Sequence, residues 1–144
     1  MTITKKIEKK EDDHDEDDKS FLFFYDSYAI IEYLNGNQNY RQYFENADGI
    51  LTKLNLMEVY FRVLRIMGHN AAKDVLDSFS RYLVDFDLAA IEGAMKLRLR
   101  LKSKKHIDIS YADALGYHIS TKQDIKFLTG DVAFKDLENV EFVR

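Results

Sequence analysis

Residues 21–27 read Phe-Leu-Phe-Phe-Tyr-Asp-Ser, five consecutive apolar or aromatic side chains between a charged stretch and a pair of capping residues. A strand with one wet face alternates with period two, so an unbroken run of this length predicts a strand buried on both faces. Such a strand lies at the centre of a parallel sheet covered by helices. Ligands of open parallel sheets bind beyond the carboxyl ends of the strands, and Asp26 stands at that end.

Strand and helix signals alternate from there. A short helix over 28–34 starts at Ser27 and stops at Asn35-Gly36, and a second covers 40–46. Residues 50–53 read as a second strand. Asn55 then caps an amphipathic helix over 56–67, with apolar positions 56, 59, 60, 63, 64 and 67 at helical spacing. A helix over 71–81, with 75, 76, 79 and 82 as its inward stripe, leads into a third strand at 83–86. Asp87 caps a helix from Leu88 to about Lys102, whose inward positions are read as Leu88, Ile91, Met95 and Leu99, and a basic loop follows over 102–106. Ser110 caps a helix over 111–122, and strands at 125–129 and 140–143 close the chain. This alternation implies βαβ units, hence an α/β fold with a parallel sheet between helical layers and right-handed crossovers.

Residues 20–144 are enough for one domain with a sound core. Residues 1–19 carry eight acids against five lysines, and 11–18 are acidic at every position but His14. A block of like charge with nothing apolar to bury predicts a disordered tail, read as solubilising, with competition for the domain's own basic surface as the functional alternative. The remaining 17 acids nearly balance 16 Lys and Arg, which permits a nucleic-acid partner without demanding one. The absence of cysteine excludes disulfides, thiolate metal sites and Cys nucleophiles. No apolar run approaches the ~20 residues of a membrane helix, and the first residues lack an apolar signal core, so a cytoplasmic protein with no membrane association is expected.

Four carboxylates fall at one predicted edge. Asp26 ends strand 1, Glu58 and Asp113 lie in the first turns of helices, and Asp131 follows the 125–129 strand. Massed carboxylates raise one another's pKa unless a cation compensates, and an all-oxygen set selects a hard ion such as Mg²⁺ or Mn²⁺. Each acid also has a structural use, because Asn55-x-x-Glu58 and Ser110-x-x-Asp113 both have capping-box spacing and Asp26 and Asp131 suit turns. From spacing alone both readings stand.

The motifs Phe-Tyr-Asp26-Ser-Tyr-Ala, Leu-Asn-Leu-Met-Glu58-Val-Tyr, Ile-Ser-Tyr-Ala-Asp113-Ala-Leu and Phe-Leu-Thr-Gly-Asp131-Val-Ala-Phe, in this order and spacing, resemble a PIN domain, and most nearly the VapC-type toxins of toxin-antitoxin pairs. The resemblance implies a three-layer α/β/α sandwich over 20–144 and a Mg²⁺- or Mn²⁺-dependent endoribonuclease. Asp26, Glu58 and Asp113 would be the principal catalytic and metal-binding acids, with Asp131 the fourth and Ser27 and Thr129 as supporting hydroxyls. The implied partners are RNA, a second copy of the chain in a homodimer, and an antitoxin protein. The alternative is a catalytically silent PIN-like module that binds RNA or protein.

Two further groups follow. Arg98, Arg100, Lys102, Lys104 and Lys105 are candidate RNA-phosphate contacts, with a solvated helix face as the plainer reading. Phe21, Phe23, Phe24, Phe61, Phe79 and Phe127 are assigned to the core, and Tyr40, Tyr43 and Phe44 to a partner surface that the resemblance implies.

Overall fold

The computed structural model describes residues 22–144, so the acidic tail, the domain boundary at residue 20 and Phe21 lie outside the described residues. Within them, β1 (Leu22–Tyr25), β2 (Asp48–Ile50), β3 (Lys126–Thr129) and β4 (Val140–Phe142) form one sheet in the order β2-β1-β3-β4. Every pairing is parallel, with Phe23 opposite both Gly49 and Lys126, and Thr129 opposite Phe142. All four β1 residues are buried, as the apolar run requires.

Alternate side chains of the inner strands enter opposite layers. Leu22, Phe24 and Phe127 pack with Ala94 and Leu101 of α5 (Leu88–Lys105) and with Ala114, Leu115 and Ile119 of α6 (Tyr111–Lys122). Phe23, Tyr25 and Leu128 pack on the other face against α1 (Ser27–Leu34), α2 (Gln38–Glu45), α3 (Lys53–Met67) and α4 (His69–Phe79). The result is the expected three-layer sandwich. At Gly116 a Cβ would lie 2.4 Å from the Phe24 ring and 3.1 Å from that of Phe127, so the missing side chain is what lets α6 settle onto the sheet.

Several local expectations change. The third strand at 83–86 is reduced to isolated bridge residues, Leu83 opposite Leu51 and Asp85, because the 3-10 turn Ser80–Tyr82 ends just before them and the Asp87 cap of α5 begins just after. Strand 2 ends at Ile50, and α3 starts at Lys53 behind Thr52, which forms a capping box with Asn55. Glu58 therefore lies in the second turn of α3, and Asn55-x-x-Glu58 is not a capping box. Ser27 is the first residue of α1 and makes no cap.

The residues read as a basic loop over 102–106 continue α5 to Lys105, where His106 turns left-handed at φ 56°. That helix rolls onto its small side chains, burying Ala94 and Leu101 and leaving Leu88 82% exposed, with Ile91 and Leu99 also exposed. Similarly, α3 outruns the core, so Phe61 is 63% exposed and Leu64 and Met67 face out, as does Leu76 of α4. Tyr40 and Phe44 are buried, and Tyr43 sets its ring edge against Phe23 and donates to Glu141 Oε1 at 2.7 Å. Tyr40 and Phe44 therefore fasten α2 to the body, while Tyr43 is only half-buried. Among the described residues no helix is long and apolar enough to cross a membrane.

Candidate metal centre

In a parallel sheet the strand ends and the first turns of the crossover helices share one edge. β1 and β3 are neighbours, so Asp26 and Thr129 finish side by side there. The Thr129 hydroxyl donates to Asp26 Oδ2 at 2.7 Å, and Asp131 N donates to Thr129 Oγ1 at 3.0 Å. Asp131 Oδ1 in turn accepts from Ala133 N, capping the 3-10 turn Val132–Phe134. Gly130, between them, has no room for a side chain, since a Cβ would lie 2.4 Å from Val143 O and 2.5 Å from the Tyr28 ring.

Asp26 is 1% exposed, and its Oδ1 is the buried polar side-chain atom left without a hydrogen-bond partner among the described residues. Burial, and then the nearby charge of Asp113, push its carboxyl well above the usual range, with the Thr129 bond opposing them. Asp113 sits at the third position of α6 in a reciprocal capping box, accepting from Ser110 N through Oδ2 while its own N–H donates to Ser110 Oγ. The structural use of Asp113 foreseen from spacing is therefore present, and it occupies one carboxylate oxygen of two. Burial raises the Asp113 carboxyl, bonds from Ser110 and Asp26 lower it, and the charge of Asp131 raises it again. Burial is the leading cause in both cases, so the Asp26 and Asp113 carboxyls sharing this site hold protons to higher pH than free carboxylates do.

Glu58 reaches the group from α3. Ser27 Oγ donates to Glu58 Oε1 at 3.0 Å and accepts from Asn55 Nδ2 at 3.2 Å. Asn55 Oδ1 accepts from both Thr52 Oγ1 and Thr52 N. A buried relay, Thr52 to Asn55 to Ser27, thus aims Glu58. The residue as a whole is exposed, but its carboxyl end is drawn toward the sheet, where desolvation raises its pKa against the Ser27 bond. Asn55 and Thr52 were not among the sequence candidates. Their signal is Thr-x-x-Asn, a capping-box spacing concealed by reading residues 50–53 as strand.

Among the described residues no Lys or Arg pairs with Asp26, Glu58, Asp113 or Asp131. Nor do three carboxylate or imidazole groups already stand in an arrangement that encloses an ion. The fit to a hard cation rests instead on chemistry: oxygen donors only, a mutually repelling cluster without a counter-charge, and a buried Asp26 oxygen with nothing to accept from.

The basic positions separate into three groups. Arg98 donates to Ile109 O at 2.8 Å, pairs with Asp108 at 3.3 Å and lies over the Tyr111 ring, so it clamps the turn between α5 and α6. Arg100 lines a cavity between the same helices, and Lys102, Lys104 and Lys105 are exposed at the end of α5.

A profile of the PIN domain family matches residues 23–140. No curated protein sequence matches the chain. Among solved structures, a DNA-bound VapBC from Salmonella typhimurium is similar at a TM-score of 0.67 and 16% identity, over 85% of this chain and 97% of that one. A sarcin-ricin loop cleaving VapC toxin from Mycobacterium tuberculosis is similar at 0.66 and 20%, over 85% and 98%. A toxin-antitoxin complex from Klebsiella pneumoniae is similar at 0.59 and 15%, over 85% and 96%. At these identities the likeness is one of fold.

Proposed function

The chain belongs to the PIN domain family, and from that premise we propose that it is a divalent-metal-dependent endoribonuclease, hydrolysing RNA phosphodiester bonds as the toxin of a toxin-antitoxin pair. The observation that carries the reading is Asp26, a fully buried carboxyl with one orphaned oxygen inside a cluster of acids that no basic side chain among the described residues pairs with. A protein that needed these acids only for structure would pair them, since burying an uncompensated charge is costly.

Asp26, Glu58 and Asp113 would hold Mg²⁺ or Mn²⁺, with Asp131 as the fourth acid. When bound, such an ion lowers the pKa of water and offsets charge developing on a phosphodiester. The chain's own contribution is placement. Thr129 holds Asp26 Oδ2 and leaves Oδ1 directed inward. The Ser110 box holds Asp113 Oδ2 and leaves Oδ1 available. The Thr52, Asn55 and Ser27 relay holds Glu58. Lys102, Lys104 and Lys105, on the α5 end that meets the turn into α6, are the cations placed to meet RNA phosphates.

Cleavage of an end-labelled structured RNA by wild type and Asp113→Asn, with Mg²⁺, Mn²⁺ or EDTA, tests this. The asparagine oxygen still accepts from Ser110 N, so the helix start survives and loss of activity reports the site. Cutting that needs both the metal and Asp113 is expected; wild type that neither cleaves nor binds metal would make this a silent binding module.

An antitoxin and a second copy of the chain are the proposed protein partners. The solved complexes named above support the first, and the exposed Phe61, Met57 and Met67 of α3 and Leu88 and Leu99 of α5 offer apolar surface for both. Light scattering on the purified chain, and co-purification with the product of a neighbouring small reading frame, check them.

A further inference from the structure

The edge of the sheet opposite the acids carries a feature that cleavage does not use. A cavity of about 890 Å³ lies between the first half of α5 and the second half of α6, with Phe86, Ala90 and Gly93 on one side and His118 and Lys122 on the other. The helices touch here because Gly93 has no side chain; a Cβ would sit 2.3 Å from the His118 ring. Arg100 reaches the same space, and Lys96, Arg100 and Lys104 follow one another at i, i+4 and i+8 along α5. That stripe runs from the cavity toward the α5 end beside Ser110 and Asp113.

Among the described residues Arg100, Lys104 and Lys122 have no ion-pair partner. The acids that line the cavity are Asp85, Asp87 and Glu92. Asp87 is engaged as the α5 cap and Glu92 holds Lys96, which leaves Asp85 against Arg100 and Lys122. The field there is positive enough that Lys122 and Arg100, after burial, hold the His118 pKa below its ordinary value.

The chain enters the sheet beside this cavity. Leu22 shares one core cluster with Ile119, Phe86 and Ala90, and Phe23 pairs with Lys126, three residues past the cavity-lining Gln123. Upstream, three residues separate Leu22 from 11–18, which hold seven acids in eight positions. Three extended residues reach about 10 Å and eight reach about 27 Å, whereas Lys96 to Lys104 spans about 12 Å of helix. Length, place of entry and charge therefore agree on one occupant.

We propose that residues 11–18 dock in cis in the α5–α6 cleft and along Lys96, Arg100 and Lys104, where their carboxylates compete with RNA phosphates for the basic surface leading to the acidic site. The competition rests on the ribonuclease reading; the docking does not.

The chain has no cysteine, so Asp15→Cys accepts a single nitroxide label in the full-length protein. Paramagnetic broadening is expected at the amides of Gly93, Arg100, His118 and their neighbours, persisting on dilution. It should vanish in about 1 M salt, where the screening length is about 3 Å. It should also vanish when Lys96, Arg100 and Lys104 are each changed to Glu in a chain whose amide spectrum shows it folded. Broadening that is absent, that fades on dilution, or that centres on α3, α4 or the Ser80–Tyr82 turn overturns the docking. Neutralising the seven acids to Asn and Gln in the full chain should tighten binding of a fluorescein-labelled RNA about tenfold or more at low salt. Unchanged RNA affinity alongside the broadening overturns the competition alone. Absence of cleavage by every variant, with the broadening intact, overturns the ribonuclease reading and leaves the docking standing.

Discussion

Asn55 has no exposed surface, and both polar atoms of its amide are engaged, Oδ1 by Thr52 and Nδ2 by Ser27 Oγ. It therefore fixes which way the Ser27 hydroxyl points, and Ser27 fixes Glu58. Asn55→Asp keeps the acceptor for Thr52 and removes the donor to Ser27, whose hydroxyl then turns to the new carboxylate and releases Glu58. The expected result is about a tenfold loss of Mn²⁺ affinity by calorimetry, the scale on which such supporting bonds act, with an unchanged affinity dismissing the relay. Asp26 is the converse case. In Asp26→Asn the amide oxygen can accept from Thr129 and the NH₂ supplies a donor at the oxygen that has no partner, while the titrating carboxyl is removed. Metal-free stability should rise by about 1–3 kcal/mol at alkaline pH, the usual cost of an unsatisfied buried polar group, measured by urea unfolding in EDTA. The places of Asp26, Asp113 and Asp131 were legible from position along the elements, because a strand end and a helix start are local facts, whereas Glu58 was expected one turn too early. The relay was not, because it depends on where one strand stops, and Ser27 looked like a cap until Asp26 was seen to hold that position.

At the scale of elements, pattern reading succeeded where a segment is buried on one account only. The β1 run is unbroken because both faces are covered, and α6 is capped by Ser110 as its spacing requires. It failed on α5, which has two apolar faces: Leu88, Ile91 and Leu99 keep helical spacing, but Ala90, Ala94, Leu97 and Leu101 face the core. Periodicity does not choose between two such stripes. Packing does, and it prefers the alanines because they admit close approach to α6. It failed again at 83–86, where a strand was expected but the neighbouring turn and cap left room only for isolated bridge residues at Leu83 and Asp85. Close approach also sets a prediction on α6. Gly116→Ala gains about 1 kcal/mol of helix propensity but drives a methyl into Phe24 and Phe127. Overpacking of a core costs about 1–3 kcal/mol, so the thermal midpoint should fall; a rise would mean that α6 has slack against the sheet.

For the molecule as a whole, the acidic site couples stability to pH, and on the proposed function it would couple stability to a metal ion as well. Burial raises the carboxyls of Asp26, Glu58 and Asp113 in the folded chain, so the folded state keeps protons that the unfolded state has lost. Their contribution is fully present below the ordinary carboxylate range, about pH 4, and disappears as pH rises through the raised values. His118 acts with the opposite sign, because its lowered pKa favours the folded state as pH rises toward the ordinary histidine value. The two slopes have opposite signs, so the wild-type profile alone does not separate them, whereas its difference from Asp26→Asn cancels the His118 part. In EDTA the wild type should lose stability relative to Asp26→Asn as pH rises above the ordinary carboxylate range. On the proposed metal-site reading a divalent cation would bind the deprotonated cluster, so its stabilisation would grow in the same direction of pH. At a hundredfold excess over its Kd it amounts to about 2.7 kcal/mol, or several degrees in the thermal midpoint. Mn²⁺ should therefore close the gap in wild type and leave Asp26→Asn unmoved. An equal shift in both proteins would place the ion elsewhere, and a difference that does not change with pH would mean that the acids are not titrating as one group.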